Sequence, residues 1–198
     1  MVKIDDRLLL WITGLAGTFG PLDWVASHLA NDYLIPVLMT LIAASLWFWG
    51  NTAQRRRENQ LGFIAGITGL GISAAAVAII DANYFRDRPY IRFPEIVPTA
   101  EKLFYLPTVS SFPSYPAAVL FALAFGVWLR NKKAGTVLFV LAALMGLARV
   151  YVGVHYPSDI VGGALIGIAI TYVIFWLLKT AGPILNVGFW ILEHIWMA

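Results

Sequence analysis

Long apolar runs separated by short polar punctuation dominate this chain. Residues 33–49, 61–80, 116–129, 134–152 and 160–178 carry few or no charges, and each is closed by a polar or turn-forming group. Such runs predict five helices that cross a bilayer. Residues 3–30 read differently, because apolar patches alternate there with Gly14, Gly17, Gly20, Pro21 and Asp23. A break at Gly20-Pro21 predicts two short amphipathic pieces lying in the membrane interface. Asn31 and Asp32 stand where they can cap the following helix, and Trp47 and Trp49 suit a headgroup-level belt. Gly62, Gly66 and Gly69 form a small-residue face for close helix packing. Residues 184–198 read as amphipathic, with Glu193 and His194 near Trp190 and Trp196.

Composition turns this pattern into a class. Of 198 residues, 60% are hydrophobic and 13% charged, against roughly 45–50% and about 25% in soluble domains. The excess apolar surface must face lipid. The expectation is an all-α membrane protein, five to six transmembrane helices in a bundle with N-terminal interfacial helices, forming a single membrane-embedded domain over 1–198. No cleavable signal peptide is expected, since no small-residue cleavage pattern follows the apolar stretch at 8–12. Cysteine is absent, which excludes disulfides and Cys-ligated metals. The net charge of +3 comes from clusters beside apolar runs, at Arg55, Arg56 and Arg57, at Arg130, Lys132 and Lys133, and at Lys179. Those positions fit cytoplasmic membrane edges and not a nucleic-acid surface. With alternating helix directions, the ends carrying Arg88, the proline-containing loop and His155 then fall together on the extracytoplasmic side.

The chemistry-bearing stretch is Arg149, His155 and Asp159, at the junction of two apolar runs. Charged groups at membrane depth face a bundle interior or cavity and mark a substrate path. These types suit phosphate handling: guanidinium for the anion, imidazole as nucleophile or base, and carboxylate to hold the imidazole tautomer. With Tyr156, Pro157 and Ser158 between them, His155 falls at a helix entrance and Asp159 on its first turn. The competing reading is an Arg–Asp pair tying two helix ends, with His155 a bystander. His28 and His194 read as interfacial.

These residues resemble the type 2 phosphatidic-acid phosphatase superfamily, which includes integral-membrane lipid phosphatases and is related to vanadium haloperoxidases. Its pattern is Lys-x6-Arg-Pro, then Pro-Ser-Gly-His, then Ser-Arg-x5-His-x3-Asp. This chain keeps Arg88-Pro89, Pro113-Ser114, and Arg149, His155 and Asp159 in order and interval. The resemblance implies a helical bundle, a phosphate pocket at the outer leaflet, and a phosphohistidine intermediate formed without metal or other cofactor. It makes His155 the nucleophile, Asp159 its orienting partner, Arg88 and Arg149 the phosphate clamp, and Ser114, with Tyr115 beside it, a further substrate contact. It also implies a membrane lipid phosphate as substrate and a bacterial or archaeal cytoplasmic membrane as location.

Three positions depart from the pattern. Asp81 stands at the lysine, Tyr115-Pro116 at the Gly-His, and Ala148 at the serine. The lost histidine protonates the leaving alkoxide in the family, help worth about 10²–10⁴-fold, and proline has no titratable group to replace it. A diphosphate, whose leaving group needs little protonation, is therefore the favoured substrate. Asp81 is the candidate substitute acid, about two helical turns before Arg88 if the helix persists; alternatively it pairs with Arg86 at a helix end. Three functions stay open: hydrolysis of a lipid phosphate or diphosphate of phosphatidate, phosphatidylglycerophosphate or polyprenyl type, non-catalytic binding of a phosphorylated lipid, and phosphotransfer to a second acceptor.

Overall fold

The computed structural model describes residues 4–180. All regular structure among them is helical: α1 (Ile4–Thr13), α2 (Gly20–Ala30), α3 (Leu34–Ser45), α4 (Ala53–Asn83), α5 (Pro89–Arg92), α6 (Val97–Leu103), α7 (Tyr115–Arg130), α8 (Lys132–Tyr151) and α9 (Pro157–Thr180), with one 3₁₀ turn at Pro94–Ile96. The sequence features at 182–198, including Gly182-Pro183 and His194, lie outside the described residues.

Helices α4, α8 and α9 are each long and apolar enough to cross a membrane, and α2 with α3 passes the same test as one span bent by 57°. The five runs read from the sequence thus resolve into three straight spans, one bent pair and the shorter α7. The bend has a polar cause. Asn31 Oδ1 accepts from the N–H groups of Tyr33 and Leu34, at 2.8 and 3.3 Å, and Asp32 is held by Arg149, so the chain turns where these groups find partners. The run expected at 33–49 accordingly ends as a helix at Ser45. Gly20-Pro21 opens α2, the proline sitting in the first turn, where its missing N–H costs nothing.

Helix α7, 16 residues long, is the axis of the bundle and packs against α4, α8 and α9. Small residues make that possible. A Cβ on Gly66 of α4 would meet Leu123 O at 2.9 Å, Gly126 of α7 lies against the Gly66 backbone, and Gly167 of α9 lies against Ala118 O. Gly62 meets α7 as well, and Gly69 meets Thr171 of α9, so the whole small-residue face on α4 is used. Around this axis Met39, Leu120, Leu123, Leu138 and Met145 form the main core, while Ile79, Leu165 and Leu177 stay exposed on the outside, as lipid-facing side chains should.

Chain direction sorts the polar groups by end. At the basic end Thr52 caps α4 by accepting from Arg55 N–H, Asn131 caps α8, and the Asn131 amide donates to Asn59 Oδ1 at 3.2 Å. The opposite end gathers the 84–114 connection, the 152–156 turn and the start of α1. The candidate site stands there.

Candidate active site

The turn into α9 is built by its own acidic residue. Asp159 reaches back to accept from Tyr156 N–H at 2.8 Å, while Asp159 N–H donates to Tyr156 O at 3.0 Å. That reciprocal cap fixes the helix start and places His155 just before it. Gly153, at φ 79°, supplies the left-handed turn that releases the chain from α8. His155 is 1% exposed and Asp159 fully buried.

The orientation of the imidazole departs from the sequence reading. Nδ1 lies 3.0 Å from the carbonyl of Ser111 and 3.7 Å from Asp159 Oδ2. A carbonyl only accepts, so Nδ1 carries the proton and Nε2 is the unprotonated nitrogen. Asp159 has its oxygens engaged elsewhere: Oδ1 accepts from Arg86 at 2.6 Å, and Oδ2 accepts from the Ser111 hydroxyl at 2.5 Å and from Tyr156 N–H. The tautomer expected from an aspartate is set here by a backbone carbonyl. Burial drives the imidazole pKa down to about 4; the nearby Asp159 carboxylate pulls the other way, and the Arg88 and Arg149 charges add to the fall.

Both expected clamp arginines are buried beside this ring, and both hold protein partners. Arg88 donates to Val109 O at 2.8 Å, Val154 O at 2.9 Å and Ser110 O at 3.1 Å, and its Nη1 lies 3.4 Å from His155 Nε2. It therefore ties the 109–110 stretch to the 152–156 turn and points at Nε2. Arg149 is paired with Asp32 and lies over the Phe104 ring at 5.2 Å, and its buried Nε has no hydrogen-bond partner among the described residues. Tyr105 donates to the same Asp32 at 2.7 Å.

The remaining expected residues are less central. Ser114 is buried, but its hydroxyl caps α7 by accepting from Ala117 N–H, and its own N–H donates to Asp159 O at 3.1 Å. Tyr115 is 53% exposed on the first turn of α7. Asp81 is half-buried in the last turn of α4 and makes no hydrogen bond or ion pair with another described residue. Helix α4 stops at Asn83, so the two-turn relation to Arg88 is not realised. The Arg86 partner considered for Asp81 is taken by Asp5 and Asp159. His28 is exposed, with its ring tilted on Trp24 at a centroid distance of 4.2 Å.

Four contributors escaped the sequence reading: Asp5, Asp32, Ser111 and Ser158. Asp5 accepts from Arg86 and from both the N–H and the hydroxyl of Ser158, which hold its carboxyl below the usual range against the upward push of burial. Asp5 and Asp32 come from segments remote in sequence and carry no motif. Ser111 had a weak signal, being three residues before Ser114 in the Ser-Ser-Phe-Pro-Ser stretch. A cavity of about 310 Å³ lies beside the same turn, lined by Thr13, Glu95, Thr99, Tyr151 and Gly153 among others; His155, Arg88 and Arg149 are not part of its wall.

Fold and site together define a helical integral-membrane protein with a buried histidine and two arginines at one end of the bundle. The chain belongs to the PAP2 superfamily, which it matches over residues 62–183. It is 32% identical over 145 residues to the undecaprenyl-diphosphatase BcrC of Bacillus subtilis, covering 73% of this chain and 69% of that one. Its fold is similar to that of LpxE from Aquifex aeolicus, with a TM-score of 0.60 and 26% identity over 88% of this chain and 98% of the other. A transmembrane PAP2 type phosphatidylglycerolphosphate phosphatase from Bacillus subtilis shares the fold at a TM-score of 0.57, with 20% identity over 89% of this chain and 85% of the other.

Proposed function

We propose that this chain is a membrane lipid phosphatase that removes the terminal phosphate of a lipid diphosphate through a phosphohistidine on His155. The observation that carries the reading is the buried imidazole with its Nδ1 proton on the Ser111 carbonyl and an unprotonated Nε2 that accepts only a long, 3.4 Å hydrogen bond from Arg88 Nη1. A neutral ring with Nε2 unprotonated is the form that attacks phosphorus, once Arg88 Nη1 turns from Nε2 to the phosphoryl oxygens. In the first step Nε2 bonds to the terminal phosphorus while the bridging P–O bond breaks, and the electron pair leaves with the lipid monophosphate. In the second, water attacks phosphorus, the P–N bond breaks and inorganic phosphate departs. Arg149 turns from Asp32 to the phosphoryl oxygens, and the free Nη2 hydrogen of Arg88 joins it. Similarity to the undecaprenyl-diphosphatase BcrC supports a diphosphate, as does Pro116 at the position of the family's acid. The site end faces away from the cytoplasm, because the basic clusters lie at the other end, and residues 1–198 act as one membrane-embedded unit.

The competing reading, a non-catalytic binder of phosphorylated lipid, draws on the protein partners that Arg88 and Arg149 already hold. Purified protein assayed for phosphate release from farnesyl diphosphate, farnesyl monophosphate and phosphatidate separates the two. Turnover fastest on the diphosphate and lost in His155→Ala supports the phosphatase; binding without release by the wild-type protein sinks it.

A further inference from the structure

Arg86 has no part in the steps above, yet the site converges on it. Through its backbone it accepts from Ser111 N–H at 2.9 Å and donates to Ser110 Oγ at 3.1 Å. Through its side chain it donates to Asp159 Oδ1 at 2.6 Å, Ser158 Oγ at 2.8 Å and Asp5 Oδ2 at 2.7 Å, with its guanidinium 4.1 Å from the Tyr156 ring centre. The imidazole has two candidate partners for its Nδ1 proton, the Ser111 carbonyl and Asp159. Arg86 touches both.

We propose that Arg86 is a positioning residue for His155: it draws Asp159 off the imidazole and anchors the strip whose Ser111 carbonyl takes the Nδ1 proton. The inference rests on His155 being the reacting group of the proposed phosphatase. Its physical content is charge balance. A buried carboxylate needs compensation, and with Arg86 bonded to Oδ1, Asp159 meets that need without the ring. Asp5 completes the balance from α1, because Arg86 then serves two carboxylates and pins the N-terminal helix onto the site.

Neutralising position 86 leaves Asp159 uncompensated, and the nearest group able to gain a positive charge is His155, 3.7 Å away. The other charged groups around the ring are Arg88 from the connection after α4 and Arg149 from α8, both opposing protonation. The released carboxylate favours it, so the imidazole pKa must rise from its depressed value. An opposite charge brought into contact shifts a pKa by about one to three units.

The test uses the full chain in detergent micelles with ¹⁵N-labelled histidine. The chain has only three histidines, and His28→Gln and His194→Gln assign the other two. Imidazole nitrogen shifts are followed across roughly pH 4–8. In the wild-type protein His155 is expected to stay neutral, with its proton on Nδ1, down to about pH 5. In Arg86→Gln it should titrate at least about one unit higher, whereas Arg86→Lys, which keeps the cation, should follow the wild type. Arg86→Gln and Arg86→Lys titrating alike overturns the proposal. So does a wild-type His155 that carries its proton on Nε2 or titrates near the ordinary histidine value, a result that needs no variant to fold. The lipid panel separates the two levels: an inactive wild type defeats the phosphatase reading, while an active wild type with an unshifted Arg86→Gln defeats this inference alone.

Discussion

Two arginine clusters flank the imidazole, and they are built differently. Arg86 is tied by three side chains, by an aromatic ring and by its own backbone, and its carboxylate partner Asp159 is fully enclosed. Among the described residues Arg149 has one carboxylate partner, Asp32, whose side chain is 35% exposed, and a buried Nε without a hydrogen-bond partner. The first cluster is over-determined and suits holding. The second has a spare donor and a partner within reach of water, and suits exchange. A phosphate arriving at Arg149 replaces one carboxylate; a phosphate at Arg86 would have to undo the helix start and the docking of α1.

The largest effects should come where this contrast meets the reacting atoms. His155→Ala should remove phosphate release altogether, and Arg149→Ala should lower kcat by about 10²–10³-fold, the usual cost of losing one group that stabilises developing charge. Initial rates on farnesyl diphosphate in a detergent assay check both. Full turnover in His155→Ala would falsify the phosphohistidine step.

A gain of function sharpens the comparison next. Replacing Tyr115→Gly together with Pro116→His restores the family's acid on the first turn of α7. Release from a monophosphate should rise by about tenfold or more, since general acid help is worth about 10²–10⁴-fold when well placed. The diphosphate rate should change little. Equal gains on both substrates would mean that leaving-group protonation is not what distinguishes them.

The bundle was far more legible in the sequence than the site's wiring. Apolar runs and the spacing of Gly62, Gly66 and Gly69 follow helical periodicity, so helix identity and one packing face could be read locally. The spacing of His155 and Asp159 likewise located the turn into α9. What could not be read were the partners. Asp5 and Asp32 reach the site only because α1 folds over it and because the chain bends between α2 and α3. The spacing predicted that Asp159 holds an imidazole nitrogen, with an Arg–Asp pair as the alternative, but Arg86 and Ser111 take the same oxygens. At 33–49 hydropathy alone predicted an unbroken span, whereas Asn31 and Asp32 find polar partners and the helix beyond them is short.

Asp32 offers a test that needs no turnover. Asp32→Asn leaves Arg149 buried without a counter-charge, and stranding one member of an enclosed pair is destabilising. The thermal midpoint should fall in phosphate-free buffer and recover as inorganic phosphate is added, because an anion that binds only the folded state stabilises it by mass action. The wild type, with Asp32 in place, should respond less to the same additions. An identical response in both proteins would show that Asp32 and phosphate do not share Arg149.

The smallest effect is expected at Asp81, although the family pattern made it prominent. An acid role requires the carboxyl to reach the leaving oxygen, and the helical continuation that would have aligned it with Arg88 ends at Asn83. From there to Arg88 the chain is not helical, so Asp81 and Arg88 do not share a helix face. The ion-pair role fails too, because Arg86 is committed to Asp5 and Asp159. A half-buried carboxylate with no side-chain partner among the described residues contributes little to either chemistry or folding, and its removal costs little. Asp81→Asn should therefore keep the diphosphate rate within about twofold and leave the alkaline limb of the pH profile in place, since a group that delivers no proton cannot set it. Initial rates across the pH range decide the matter. A large loss of rate with a displaced alkaline limb would return Asp81 to the reacting groups and make the end of α4 the source of the proton.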